Sequence, residues 1–152
     1  MSPRMVSEQH SGTLEEAGAL LKKLLAKHNR VAVVGRPGIG KTACLRYVGK
    51  LDRLLVQTDD MIRGSTWEQQ RDKVLAACKG DRWVCEGITA ARALRHGLEA
   101  DAVLALYGSP LRAINTKQSI QLGDQVDRWV REAALTHPAA FHFWAVRHRK
   151  IA

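Results

Sequence analysis

The chain has 152 residues, 45% apolar, 26% charged and 5% aromatic, with 24 Lys and Arg against 15 Asp and Glu for a net charge of +9. That length supports one domain with one core, and the apolar share excludes a disordered chain. Residues 1–76 carry 13 basic and 8 acidic side chains and residues 77–152 carry 11 and 7, so the excess belongs to the folded surface and favours an anionic macromolecular partner.

Residues 1–10 are polar and irregular and read as a loose end without the apolar stretch of a signal peptide. Thr13-x-x-Glu16 is a capping box, and Leu14, Ala17, Leu21, Leu24 and Leu25 recur at helical spacing, which predicts a helix over about 13–28. Val31 to Val34 is a continuous β-branched and apolar run, the mark of a strand buried on both faces of a parallel sheet. Leu54-Leu55-Val56, Trp83-Val84-Cys85, Ala102 to Tyr107 and the weaker Phe141 to Val146 have the same character. Helical stretches fall between them at about 41–51, 66–79, 88–97 and 120–135, with glycines near the junctions. Strands alternating with helices predict an α/β fold: a parallel five-stranded sheet, helices on both faces, one three-layer domain over residues 1–152. The segment 108–136, with Arg112, Lys117, Arg128 and Arg131, reads either as a lid over an active site or as a solvated helical hairpin.

Cys44, Cys78 and Cys85 form no C-x-x-C pair and read as small core residues rather than disulfide partners, zinc ligands or nucleophiles. With no apolar run long enough to span a bilayer, the composition predicts a soluble cytoplasmic protein with no membrane partner and leaves the oligomeric state open.

Residues Gly35-Arg36-Pro37-Gly38-Ile39-Gly40-Lys41-Thr42 match G-x-x-x-x-G-K-[ST] without gaps, directly after a strand and at the start of a helix. Gly35, Gly38 and Gly40 let backbone N–H groups wrap a phosphate, and the helix N-terminus adds partial positive charge. Lys41 would reach the β- and γ-phosphates of ATP and the Thr42 hydroxyl would coordinate Mg²⁺, so the motif predicts a P-loop NTPase fold. Ligands of open α/β sheets bind beyond the carboxyl ends of the strands, which brings in Asp59 and Asp60 after the second strand and Glu86 after the third. Asp59, nearer the sheet, is the favoured base for an attacking hydroxyl, with Asp60 the other candidate, although the pair also reads as an ordinary turn. Glu86 is a candidate to hold Mg²⁺, directly or through water, or to contact the acceptor; a simple polar strand end is the other reading. Arg63 is a candidate for holding an anionic acceptor, as are Arg92 and Arg95, which share a helix face with His96 nearby; a solvated basic face is the other reading.

This order of features resembles the P-loop kinases of the nucleoside, nucleotide and polynucleotide kinase group over about residues 30–147. Their Walker A loop, acid after the second strand, acid ending the third and Arg-bearing lid correspond to Gly35–Thr42, Asp59-Asp60, Glu86-Gly87 and the Arg112 to Arg131 segment, with Arg128 a candidate catalytic lid residue. Asp-Asp followed shortly by Arg looks most like polynucleotide 5′-hydroxyl kinases, where the first Asp is the general base. A small, basic, single-domain form also resembles phage kinases that phosphorylate 5-hydroxymethyluracil in DNA. The resemblance implies an ATP- and Mg²⁺-dependent kinase acting on a DNA hydroxyl, the modified base before the 5′ end. A nucleotide or small-metabolite kinase and an AAA-type ATPase are the alternatives. Such ATPases usually carry Asp-Glu where this chain has Glu86-Gly87, and the chain ends too early for their helical domain. A GTPase is disfavoured because Asn115-Thr116-Lys117-Gln118 lacks the Asp that reads guanine.

Overall fold

The structure, a computed structural model, describes residues 7–61, 64–108 and 117–147. In chain order the elements are β1 (Ser7–Gly12), α1 (Leu14–Lys27), β2 (Arg30–Gly35), α2 (Lys41–Val48), β3 (Leu54–Gln57), a 3₁₀ turn (Thr58–Met61), α3 (Trp67–Ala77), β4 (Trp83–Glu86), α4 (Ile88–Ala93), β5 (Ala102–Gly108), α5 (Lys117–Thr136) and β6 (Ala140–Val146). All strand pairs are parallel, in the order β1-β6-β5-β2-β4-β3.

Side chains of successive strand residues point to opposite faces, and β2 is apolar on both. Val31 and Val33 join Leu104, Leu106 and Val84 beneath α1 and α2. Ala32 and Val34 join Val103, Ala105 and Cys85 beneath α3, α4 and α5. Two cores on the two faces of one sheet give the three layers. The capping box forms as expected, with the Glu16 N–H donating to Thr13 Oγ1 at 3.2 Å and the Thr13 N–H donating to Glu16 Oε1 at 3.0 Å. Leu21 on the buried face of α1 is fully enclosed, so its truncation to Ala would cost about 2–5 kcal/mol.

Three expectations are corrected. The sheet has six strands rather than five, because residues 7–12 form β1 instead of a loose end and pair with β6 from Ser7↔Phe141 to Gly12↔Val146. The sequence SEQHSG gives no apolar alternation because most of this edge strand is exposed, and backbone pairing rather than burial holds it. The segment after β5 is, from Lys117 to Thr136, one helix seated on the sheet, with Val126, Val130 and Ala133 buried, rather than a solvated hairpin. Residues 109–116, including Arg112, Asn115 and Thr116, lie outside the described residues. The helix expected over 88–97 closes at Ala93, since Gly97 turns the chain toward β5 and the Leu98 N–H donates to the Ala93 carbonyl. Among the described residues, no helix is long and apolar enough to cross a membrane.

Candidate functional site

Because every strand runs the same way, the carboxyl ends of β2, β3 and β4 open onto one edge of the sheet. Register places Val33 beside Glu86 and Gln57 beside Glu86, so the residues that follow β2 and β3 flank the end of β4. A cavity of about 380 Å³ lies there, lined by Pro37, Gly38, Gly40, Lys41, Thr42, Ala43, Arg46, Asp59, Glu86 and Ile88. Of the residues singled out from sequence, Pro37, Gly38, Gly40, Lys41, Thr42, Asp59 and Glu86 meet in this cavity.

The loop from 35 to 42 takes its shape from its glycines. Gly40 caps α2 with φ +115°, a backbone that side chains disfavour, and a Cβ there would lie 2.5 Å from Leu14 Cδ1 of α1. Gly38 also has positive φ, +76°. Ile39 points the other way: its side chain is fully buried in the core under α1, so only its backbone is available to a ligand. The Arg36 guanidinium is turned aside as well, donating to Asp124 Oδ1 at 3.1 Å and Asp127 Oδ2 at 2.6 Å on α5.

Lys41 is buried, and its Nζ donates to the carbonyls of Gly35 and Arg36, both at 2.9 Å. Burial pulls its pKa down, against the opposing pull of Glu86 and Asp59. Glu86 is likewise 2% exposed, and burial pushes its pKa up, with Asp59 adding to the rise while Lys41, Thr42 and Gln57 oppose it. The Thr42 hydroxyl lies 3.5 Å from Glu86 Oε1. A buried ammonium, an oxygen pair from Thr42 and Glu86, and an exposed carboxylate at Asp59 thus share one concave site. Such a set suits an anion bound together with a hard divalent cation, whose preferred ligands are oxygens. Thr58 and Gly87 brace the acids: a Cβ on Gly87 would sit 1.8 Å from the buried Thr58 Oγ1, so the turn carrying Asp59 packs directly on the residue after Glu86.

Other expected site residues fall elsewhere. Asp60 is exposed and does not line the cavity. Arg63 lies outside the described residues. Arg128, expected over the phosphates, instead lines a separate groove of about 340 Å³ with Arg92, Arg95, Gln125, Trp129 and Glu132, because α5 turns this residue toward α4 rather than toward the 35–42 loop. Arg131 lines a third hollow with Tyr107 and Phe143, and Lys117 is exposed at the start of α5. In the Arg128 groove, Arg92 and Arg95 do come together as their spacing predicted. Arg92 stacks over Trp67, 3.8 Å from its ring centroid, with Trp129 at 5.3 Å, while Arg95 pairs with Glu132. Trp67 and Trp129 were missed; a tryptophan at the first position of the polar helix α3 was the available signal. Cys44 and Cys85 are buried, as core cysteines should be, and burial pushes the Cys44 thiol up to about 12.

No protein-family model matches this chain, and no curated protein matches it.

Proposed function

We propose that this protein is an ATP-dependent P-loop kinase that transfers the γ-phosphate to a hydroxyl group on DNA. The observation that carries the reading is the convergence of Lys41, Thr42, Asp59 and Glu86 on one cavity at the carboxyl ends of β2, β3 and β4. The residues fit the nucleotide: backbone N–H groups of the 35–42 loop and the start of α2 suit phosphate oxygens, and Lys41 would meet the β- and γ-phosphates. Thr42 and Glu86 would hold Mg²⁺, which when bound neutralises charge gathering on the phosphates. Asp59, exposed at the rim, is the base that accepts the proton of the attacking hydroxyl. With Lys41 and Glu86 buried, their charges act in a medium less polar than water, where positioning and electrostatics do most of the catalysis.

The acceptor reading rests on the groove beside α4. Arg92 over the Trp67 ring with Trp129 nearby, and Arg95 and Arg128 lining the same groove, joins positive charge to aromatic surface. Proteins hold unpaired nucleotides with that combination, stacking bases on aromatic faces and pairing phosphates with guanidinium groups. The overall charge of +9 agrees, because each neutralised phosphate releases counterions. Among DNA hydroxyls, the 5-hydroxymethyl group of a flipped-out uracil is preferred over a 5′ end on the family resemblance alone.

The test is one panel with γ-labelled ATP and Mg²⁺: free nucleosides, nucleoside monophosphates, 5′-hydroxyl oligonucleotides, and 5′-phosphorylated, 3′-blocked DNA containing 5-hydroxymethyluracil. Label in the last substrate is expected. Label confined to 5′-hydroxyl ends would make the protein a terminal kinase, and label only in small molecules would remove DNA from the reading. ATP hydrolysis without transfer to any of them would overturn the kinase assignment.

A further inference from the structure

We propose that Glu8, His10 and His142 form a binding site for a divalent transition metal, best suited to Zn²⁺, that fastens the edge strand β1 to β6. Glu8 lies directly across from His142 in the parallel pair, and His10 is two residues further along the same face of β1. Three ligand atoms meet there: Glu8 Oε2 to His10 Nε2 is 3.4 Å, Glu8 Oε2 to His142 Nδ1 is 3.3 Å, and His10 Nε2 to His142 Nδ1 is 3.2 Å. A tetrahedral ion with bonds of about 2.0–2.1 Å has ligand atoms about 3.3–3.4 Å apart, so the three atoms outline one face of that tetrahedron.

In the absence of an ion one hydrogen bond joins His10 Nε2 and His142 Nδ1, with Glu8 Oε2 standing beside both nitrogens. An ionised carboxylate brings no proton and a neutral imidazole one, on either ring nitrogen, whereas one cation would take a lone pair from each of the three atoms. The donor set selects the ion: two imidazoles and a carboxylate suit Zn²⁺ and its neighbours, while Mg²⁺ prefers six oxygens. Three protein ligands would leave a fourth tetrahedral position for water. Ring orientation is fixed from outside, since His10 stacks on Trp144 with centroids 5.7 Å apart and planes 18° from parallel.

The site also answers a structural need. At its far end β1 is held by Trp144 Nε1 donating to the Gly12 carbonyl at 3.1 Å and by the Arg147 N–H donating to the same carbonyl at 2.7 Å. At the near end Ser7, Glu8 and Gln9 are exposed and bring no apolar anchor. The metal would staple that end.

The experiment uses the tag-free full chain, stripped with EDTA and dialysed, titrated with Co²⁺ as a spectroscopic probe and then with Zn²⁺. One equivalent of Co²⁺ is expected to give the visible absorption of tetrahedral coordination, displaced by Zn²⁺, and Zn²⁺ is expected to raise the wild-type melting temperature. Glu8→Ala and His10→Ala, at exposed and half-exposed positions, should each lose the band and weaken Zn²⁺ binding at least ~10-fold, with far-UV circular dichroism unchanged. Absence of a band in folded wild type, or a band and Zn²⁺ affinity retained in either variant, would overturn the proposal. The thiols and the Thr42 and Glu86 oxygens remain intact in both variants, so binding there would show as retention.

Discussion

Arg36 of the 35–42 loop donates to Asp127 of α5 across 2.6 Å, and a second bond to Asp124 holds the same nitrogen. The loop that shapes the cavity is therefore tied to a helix 91 positions away in the chain, and Asp127 is the main cause lifting the Arg36 pKa. Asp127→Asn keeps the shape and removes the charge. It should lower stability by about 1 kcal/mol and, for the kinase proposed above, raise the KM for ATP more than it lowers kcat, because the loop loses its brace while Lys41, Thr42, Asp59 and Glu86 stay. Denaturant melts and steady-state kinetics check both; an unchanged KM would mean that the tether does not set the loop.

Asp59 and Asp60 are adjacent yet differ in place, since only Asp59 lines the cavity. Asp59→Asn should depress kcat by roughly 10²-fold or more with ATP binding little changed, and Asp60→Asn should leave kcat within about 3-fold. The reverse pattern would exchange their roles.

Glu86 carries a testable pH signature. Its ordinary value is 4.5, and burial raises it in the folded state. A carboxyl whose folded pKa exceeds its unfolded one is easy to fold when protonated and costs stability once ionised. As pH rises from 4.5 through the folded value, the wild type should lose stability relative to Glu86→Gln. Unfolding free energies of both proteins from pH 4 to pH 8 measure the difference, and a flat difference would contradict the burial effect.

Gly87→Ala should be strongly destabilising, by about 3 kcal/mol or more, because the added Cβ meets Thr58 Oγ1 at 1.8 Å and residue 87 has φ +137°. Combining it with Thr58→Ala, which removes that oxygen, should recover part of the loss. Additive effects in the double variant would show that the contact is not the cause.

Trp67→Ala should raise KM for an oligonucleotide acceptor about 5-fold or more while sparing ATP hydrolysis, since it removes both a stacking surface and the partner of Arg92. In the wild type that KM should climb steeply with salt. Salt-independent kinetics would detach the groove from nucleic acid.

Much of this was legible because buried parallel strands announce themselves. Val31 to Val34 and Ala102 to Leu106 lie between two helical layers, so both faces must be apolar, and the run survives in any window of sequence. The gathering of Lys41, Thr42, Asp59 and Glu86 followed from strand direction alone, because parallel strands end together. β1 was not legible: its identity lies in backbone pairing with β6, and Ser7 and Phe141 are 134 positions apart. The place of Arg128 was equally hidden, since an arginine in a helix shows its face only once the apolar stripe of Val126, Val130 and Ala133 is known to lie against the sheet. Loop-to-helix ties such as Arg36 with Asp127 leave no local trace at all.

The pairing of β1 with β6 bears on how the chain is made. A ribosome delivers residues 7–12 long before residues 140–146, their strand partner among the described residues, so β1 waits through the synthesis of the elements between them. Until then the β5 edge is open along Ala102–Gly108, a run of apolar residues able to pair with any extended segment, including that of another nascent chain. A ribosome-stalled chain ending before Ala140 should therefore bind chaperones that a chain extending past Val146 releases, because β6 takes up β5 on one side and β1 on the other at once.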